Sequence, residues 1–313
     1  MRTALTNDLA QAAEVIRRGG VCAFPTETVY GLGADVFNER AVAKIFDAKH
    51  RPADNPLIAH ISDKTQIERL ASAITPTAAK LIEAFFPGPL TVVLPKTEAV
   101  PPIATAGLQT IGIRMPSFEL AHRFLELCET PVVAPSANLS GRPSPTTWQA
   151  VYEDLAGRID CILQAEAADI GLESTVVDCT GTTPLLLRKG SVSIEELILV
   201  VPDLQTSDVA RDEVSRSPGL KHRHYSPRAR VVLIDGPGKN DSRNSAAFIG
   251  LDRPHREFQS VKVCIDINEY ARSVFAFFRE CDAKGIEVIY CQTVSELGIG
   301  AALMDRLRRA AEE

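Results

Sequence analysis

Pro25-Thr26-Glu27-Thr28-Val29-Tyr30-Gly31-Leu32-Gly33 places two hydroxyls, a carboxylate and two glycines behind a short apolar run, and Lys49, Arg51, Asn55 and His60 follow one helix-length later. Short hydroxyls both donate and accept hydrogen bonds. Glycine lets a backbone bend tightly or come close to a ligand. Lysine meets phosphate oxygens as a point charge and arginine as a planar fork. The combination suits a site that holds a small polar molecule beside a polyanion. Three further blocks carry the same kind of chemistry. Ser136, Asn138, Ser140 and Ser144 crowd one loop after an apolar run, Glu173-Ser174-Thr175-Val176-Val177-Asp178 is followed by Arg188, and Lys221-His222-Arg223-His224-Tyr225 is basic and aromatic. Taken singly, each block also has a plain structural reading. Thr26 and Thr28 suit a turn, Lys49 and Arg51 suit a helix C-terminus, His60 suits a core strand, and the serines suit caps.

The elements that must carry these residues follow from periodicity. Leu5, Leu9, Ala12, Ala13 and Ile16 keep helical spacing, with Gly19-Gly20 as the stop. Strands are expected at 21–24, 57–61, 90–94, 111–115, 132–135, 174–179 and 185–188. Helices are expected at 39–49, 77–86 after Pro76, 118–128 and 147–155. Beyond a polar stretch rich in proline, strands at 229–234, 246–251 and 286–291 accompany helices at 268–281 and 299–311. Strands and helices are mixed rather than strictly alternating, so an α/β fold with a mixed, twisted sheet is expected. A smaller C-terminal α/β domain should follow, with a catalytic unit at 1–201, a linker at 202–228 and the second domain at 229–313.

A length of 313 residues favours two domains, and a 45% hydrophobic content supplies a core for each. The net charge of -6 argues against a broad nucleic-acid surface while leaving room for one basic cleft. Absence of an apolar run of about 18 residues predicts no membrane helix. The first residues lack a signal-peptide core. The seven cysteines are scattered without a CxxC pair, so reduced core thiols and a cytoplasmic location are expected. No P-loop, strand-linked GxGxxG, HExxH or other histidine pair at helical spacing is present, and the alternating His222 and His224 could bind a metal only if further ligands converged.

Together the blocks resemble the threonylcarbamoyl-adenylate synthase family of the YrdC-like superfamily, in its two-domain form. The resemblance rests on PTETVYGLG, KxRPxxNPLxxH (49–60), APSANLSGxxSPT (134–146) and ESTVVD (173–178), with SPGLKHRHYSP (217–227) and ELGIGAALMDRLRRAA (296–311) marking the longer form. It implies a YrdC-like twisted mixed sheet and a smaller Rossmann-like C-terminal domain. It also implies that ATP, L-threonine and bicarbonate become threonylcarbamoyl-AMP and pyrophosphate, the first step towards N6-threonylcarbamoyladenosine-37 in tRNA. By the same resemblance Thr28, His60, Arg114, Ala134 and Ser174 face L-threonine, Ala134 through its backbone. Arg51, Asn55, Thr110, Ser136, Ser144 and Arg188 face the nucleotide, and His224 and Tyr225 close over it. Lys49 and Arg51 are the expected catalytic cations, and Mg²⁺ is expected with ATP. Transient contact with the transferase machinery and weak RNA binding are the partner expectations. Glu27, Glu173 and Asp178 are general-base candidates between which the sequence does not choose. An RNA-binding module, a carbamoyl-transfer domain of hydrogenase maturation and an ATP sensor are the rival readings.

Overall fold

The computed structural model describes residues 2–206, 226–236, 245–255 and 257–312. The expected lid residues His224 and Tyr225, with the rest of their basic segment, lie outside the described residues. The first unit runs β1 (Ala4–Thr6), α1 (Leu9–Arg17), β2 (Cys22–Phe24), β3 (Gly31–Asp35), α2 (Glu39–Lys49), β4 (Ile58–His60), α3 (Ile67–Leu70), α4 (Pro76–Phe85) and β5 (Leu90–Pro95). It continues through β6 (Thr110–Arg114), α5 (Glu119–Cys128), β7 (Val132–Ala134), α6 (Trp148–Leu155), β8 (Cys161–Leu163), β9 (Thr175–Asp178), β10 (Leu185–Arg188), α7 (Ile194–Val200) and β11 (Gln205–Thr206). The second unit holds β12 (Arg230–Ile234), β13 (Ala246–Gly250), β14 (Ser260–Val263), α8 (Ile267–Ala283), β15 (Val288–Gln292) and α9 (Ile299–Ala311).

Local chemistry sets the helix starts. Asp8 accepts from the amides of Ala10 and Gln11 and opens α1, so the helix begins at Leu9 and Leu5 joins β1 instead. Asn38 caps α2, and Thr75 caps α4 with Pro76 in its first turn. Gly31 and Gly33 do not form the tight bend considered for them. Both lie inside β3, where a Cβ would meet Ala134 Cβ at 3.2 Å and Val132 Cγ1 at 2.6 Å. They let β3 pack closely on β7 and on the Phe24 ring.

The large sheet has the order β1-β8-β2-β3-β7-β4-β6-β5-β9-β10-β11 and mixes parallel with antiparallel pairs. Side chains alternate across it. Leu57, Ala59, Ile61, Ile111, Ile113, Leu90 and Val92 belong to one core that also takes residues of α2 and α4. The intervening Ile58, His60 and Arg114 point to the opposite face. On that face α1 and α5 cover β2, β7 and β8 through Ala12, Ile16, Phe124 and Leu125. Neither covers the β4–β6–β5 stretch, where the cleft opens.

The second unit is an all-parallel sheet, β12-β15-β13-β14, with α8 and α9 packed on its core. It is docked on the first. Gly171, at φ 80°, lies so close to α8 that a Cβ would meet Arg272 Cα at 2.5 Å, and Leu172 enters the second core. Arg279 of α8 donates to Pro143 O at 2.6 Å and to Asp154 Oδ2 at 2.8 Å. All seven cysteines are free and buried, four in the first unit and three in the second. Among the described residues, no helix is long and apolar enough to cross a membrane.

Candidate active site

The cleft is built where strand ends meet loops. The pairings place His60 beside Arg114, and Ile58 beside both Gly112 and Ala134, so β4, β6 and β7 form its floor. A side chain at Gly112 would fill this floor, with Thr91 Cγ2 already 3.1 Å from a built Cβ. Thr26, Thr28 and Gly31 close one wall, Arg51 and Ser136 another, and Glu173, Ser174 and Arg188 the third.

In the first wall each hydroxyl has one proton to give, which fixes the hydrogen-bond directions. Thr26 Oγ1 gives its one proton to Val29 O at 2.7 Å, so in its 2.8 Å contact with Thr28 Oγ1 it accepts. Thr28 therefore donates to Thr26 and accepts from Arg114 Nη1 at 2.7 Å. Its remaining lone pair suits a ligand hydroxyl or amine. Arg114 is buried, and its Nη2 lies 2.8 Å from Glu27 Oε1. That pair is close enough to be ionic but is not aligned as a hydrogen bond. Among the described residues, Arg114 Nη2 and Glu27 Oε2 have no hydrogen-bond partner. Burial pushes the Glu27 carboxyl up, but the charge of Arg114, helped by the Ser117 amide, outweighs it and holds Glu27 below its usual value.

His60 packs edge-on against Phe24, with ring centroids 5.7 Å apart. Burial, and then the charge of Arg114, lower its pKa to about 3. The ring is neutral at pH 7, and Nδ1 lies 3.1 Å from Ile58 O, a contact that suits the tautomer with its proton on Nδ1. The folded pKa is below the unfolded value of 6.5, so the stability held above pH 6.5 is lost as pH falls towards 3. Between pH 7 and 4 the wild-type chain should lose about 3 kcal/mol more than His60→Gln. Urea unfolding at the two pH values checks this, and equal losses in both chains would contradict it.

The third wall is also tightly bonded. Ser174 Oγ lies 2.8 Å from Thr91 Oγ1, and Arg188 donates to both Ser174 O and Ser174 Oγ at 3.0 Å. Ser144 Oγ donates to Glu173 Oε1 at 2.5 Å, and Arg306 Nε donates to Glu173 Oε2 at 2.8 Å. Burial pushes Glu173 up, but Arg306 and then Arg188 outweigh it and keep the carboxyl below its usual value. Glu27 and Glu173 are thus ion-pair partners rather than poised bases. Asp178 accepts from Thr180 Oγ1 at 2.6 Å and does not line the cleft.

The structure brings together Thr28, Arg51, His60, Arg114, Ala134, Ser136, Ser174 and Arg188 as lining residues. Four other expected residues stand elsewhere. Lys49 does not line the cleft. Its ammonium is buried against Ser136 O, at 2.6 Å, and Asn138 O. Burial, and then the neighbouring Arg51, depress its pKa well below 10.5. Lys49 thus ties down the loop carrying Ser136 rather than pointing into the cleft. Asn55 reaches the site through its carbonyl, which accepts from Arg51 Nη2 at 3.2 Å. Thr110 sits at the far end of β6 from Arg114, four residues or about 13 Å along a strand. Ser144 lies just behind the wall, on Glu173. Arg306 escaped the sequence reading, though a signal was present. It shares a helical face with the buried Leu303, Leu307 and Ala310, and a charge on an apolar face implies a partner.

A mixed sheet with an uncovered polar cleft, and a small parallel domain docked beside it, define a YrdC-like α/β protein of the two-domain kind. A family model named Sua5/YciO/YrdC, described as telomere recombination, matches residues 14–190. A second, described as the threonylcarbamoyl-AMP synthase C-terminal domain, matches residues 192–312. The chain belongs to the Sua5/YciO/YrdC family. A threonylcarbamoyl-AMP synthase of Pyrococcus abyssi is 43% identical over 317 residues, covering 96% of this chain and 93% of its own. One of Bacillus subtilis is 38% identical over 325 residues, covering 98% and 94%. The solved structure of P. abyssi Sua5 complexed with L-threonine superposes with a TM-score of 0.91 at 40% identity, covering 99% of this chain and 97% of that one.

Proposed function

We propose that this chain is a threonylcarbamoyl-AMP synthase, joining ATP, L-threonine and bicarbonate into threonylcarbamoyl-AMP with release of pyrophosphate and water. The observation that carries the reading is one cleft with two kinds of wall. At one end Arg114 and Thr28, hydrogen-bonded to each other, and neutral His60 line the cleft together. At the other, Arg51 and Arg188 suit phosphate oxygens. The first end suits an amino acid with a hydroxyl: its carboxylate meets Arg114, and its amine and hydroxyl meet Thr28, His60 and Ser174. Leaving such polar partners unpaired is the stronger means of rejecting an apolar analogue.

In the chemistry we propose, the neutral amine of threonine captures CO₂ derived from bicarbonate and forms a carbamate. A carbamate oxygen attacks the α-phosphorus of ATP, and the bond to the departing pyrophosphate breaks. Arg51 and Arg188 stabilise the phosphate charge. Mg²⁺ enters as part of the MgATP substrate, since Glu173 in the cleft wall and Glu27 beside Arg114 are already paired with arginines. The chain forms no covalent intermediate in this scheme, and rate enhancement comes from positioning. The product then passes, in the cytosol, to a transferase that modifies adenosine-37 of tRNA, with transient contact between the proteins.

Pyrophosphate release measured with ATP, L-threonine and bicarbonate, omitting each in turn, tests the proposal. Release that needs all three, with threonylcarbamoyl-AMP in the products, is the expected outcome. ATP binding without threonine-dependent release would favour a nucleotide sensor. Salt-sensitive RNA affinity without release would favour a binding module.

A further inference from the structure

Arg306 belongs to α9 of the second unit, yet its side chain is 1% exposed and ends in the wall of the first unit's cleft. Its Nε donates to Glu173 Oε2 at 2.8 Å, and its Nη2 donates to Lys189 O at 3.0 Å, next to cleft-lining Arg188. Asp305 holds the remaining edge, 2.5 Å from Nη1. We infer that Arg306 is a positioning residue of the active site, fixing the Glu173 carboxylate beside Arg188 so that the nucleotide wall is complete only when the two domains are docked.

The local charges give the reason. Glu173 lines a cleft proposed to take a triphosphate, where an uncompensated carboxylate would repel it. Arg188 is the next cation acting on Glu173 after Arg306. With Arg306 in place, Glu173 has its ion-pair partner from outside the cleft, and Arg188 keeps its hydrogen bonds to Ser174. Without Arg306, Glu173 draws Arg188 towards itself, and Ser144 loses the fixed acceptor of its hydroxyl proton. Arg279 supports the same wall independently, by gripping the carbonyl of Pro143 beside Ser144.

The inference rests on the synthase reading, and its test separates the two. The full-length wild type, Arg306→Ala, Glu173→Gln and the double variant are compared by pyrophosphate release, ATP affinity and urea unfolding. Arg306→Ala should lower kcat/KM for ATP about tenfold or more in the wild-type background, and less than about threefold once Glu173 is glutamine. Arg306→Lys, which keeps the charge, should recover part of the loss. Full activity of Arg306→Ala, or an equal loss in both backgrounds, would overturn the inference and leave Arg306 a docking contact. If Arg306→Ala does not fold, Arg306→Lys is compared in the two backgrounds under the same criteria. If the wild type shows no threonine-dependent release, the synthase reading fails, and ATP affinities of the same chains still decide whether Arg306 acts through Glu173.

Discussion

Replacing Arg114 with alanine is expected to lower kcat/KM for L-threonine about 10²- to 10³-fold and to cost about 3 kcal/mol of stability. Both effects come from one guanidinium. Its Nη1 orients Thr28, and its Nη2 is a buried donor with no hydrogen bond among the described residues. The same group compensates buried Glu27, 2.8 Å away. Removing one partner of a buried ion pair leaves a desolvated charge, which is why the stability loss is large. Glu27 also accepts from the Ser117 amide at 3.1 Å, so it cannot simply turn to solvent. The double variant Arg114→Ala/Glu27→Gln should recover stability in urea unfolding without recovering turnover. A normal threonine KM in Arg114→Ala would remove this residue from the binding site.

Lys49→Ala should lower kcat/KM for ATP about 100-fold while changing the threonine KM little. The reason is mechanical rather than electrostatic. Lys49 holds the carbonyls of Ser136 and Asn138, and Ser140 N returns a bond to Lys49 O at 3.0 Å, so the loop after β7 is pinned to the end of α2. Leaving the two carbonyls without their donor costs about 1–3 kcal/mol each, enough to account for the expected loss when the loop loosens. The pH dependence of stability separates Lys49 from an exposed lysine. Its folded pKa is depressed, so the unfolded chain holds more protons below pH 10.5. Wild-type stability should therefore gain on that of Lys49→Ala as pH rises through the window between the depressed value and 10.5. Parallel profiles, together with unchanged turnover, would show that the anchor is dispensable.

Much of this was legible in the chain because short-range rules governed it. The starts of α2 and α4 follow from Asn38, Thr75 and Pro76, and the helix at 299–311 keeps the range its apolar spacing gives. Strands β5, β6, β7 and β9 appear within a residue or two of their apolar runs. Elements fixed by distant partners were less visible. β1 and β8 are three residues each and hold one another, and β3 is glycine-rich because Phe24, Val132 and Ala134 crowd it. The cleft was legible as a set of residue types but not as contacts. Lys49 and Arg51 are two positions apart, yet one faces a loop and the other the cleft. The left-handed turn at His50 ends α2 between them and separates their directions. Arg306 is 133 positions from Glu173, and only docking of the two units relates them.

The burial of every cysteine gives the protein its own silent reporters. Cys22, Cys128, Cys161 and Cys179 sit in one unit and Cys264, Cys281 and Cys291 in the other, all shielded while their units stay closed. A thiol-alkylating reagent then reacts only as fast as each unit opens, and peptide mapping assigns each modified sulfur to its domain. The background is dark enough for a single added cysteine to serve as a label. Leu199, 85% exposed near the end of α7, offers such a position next to the segment that leads into the second unit.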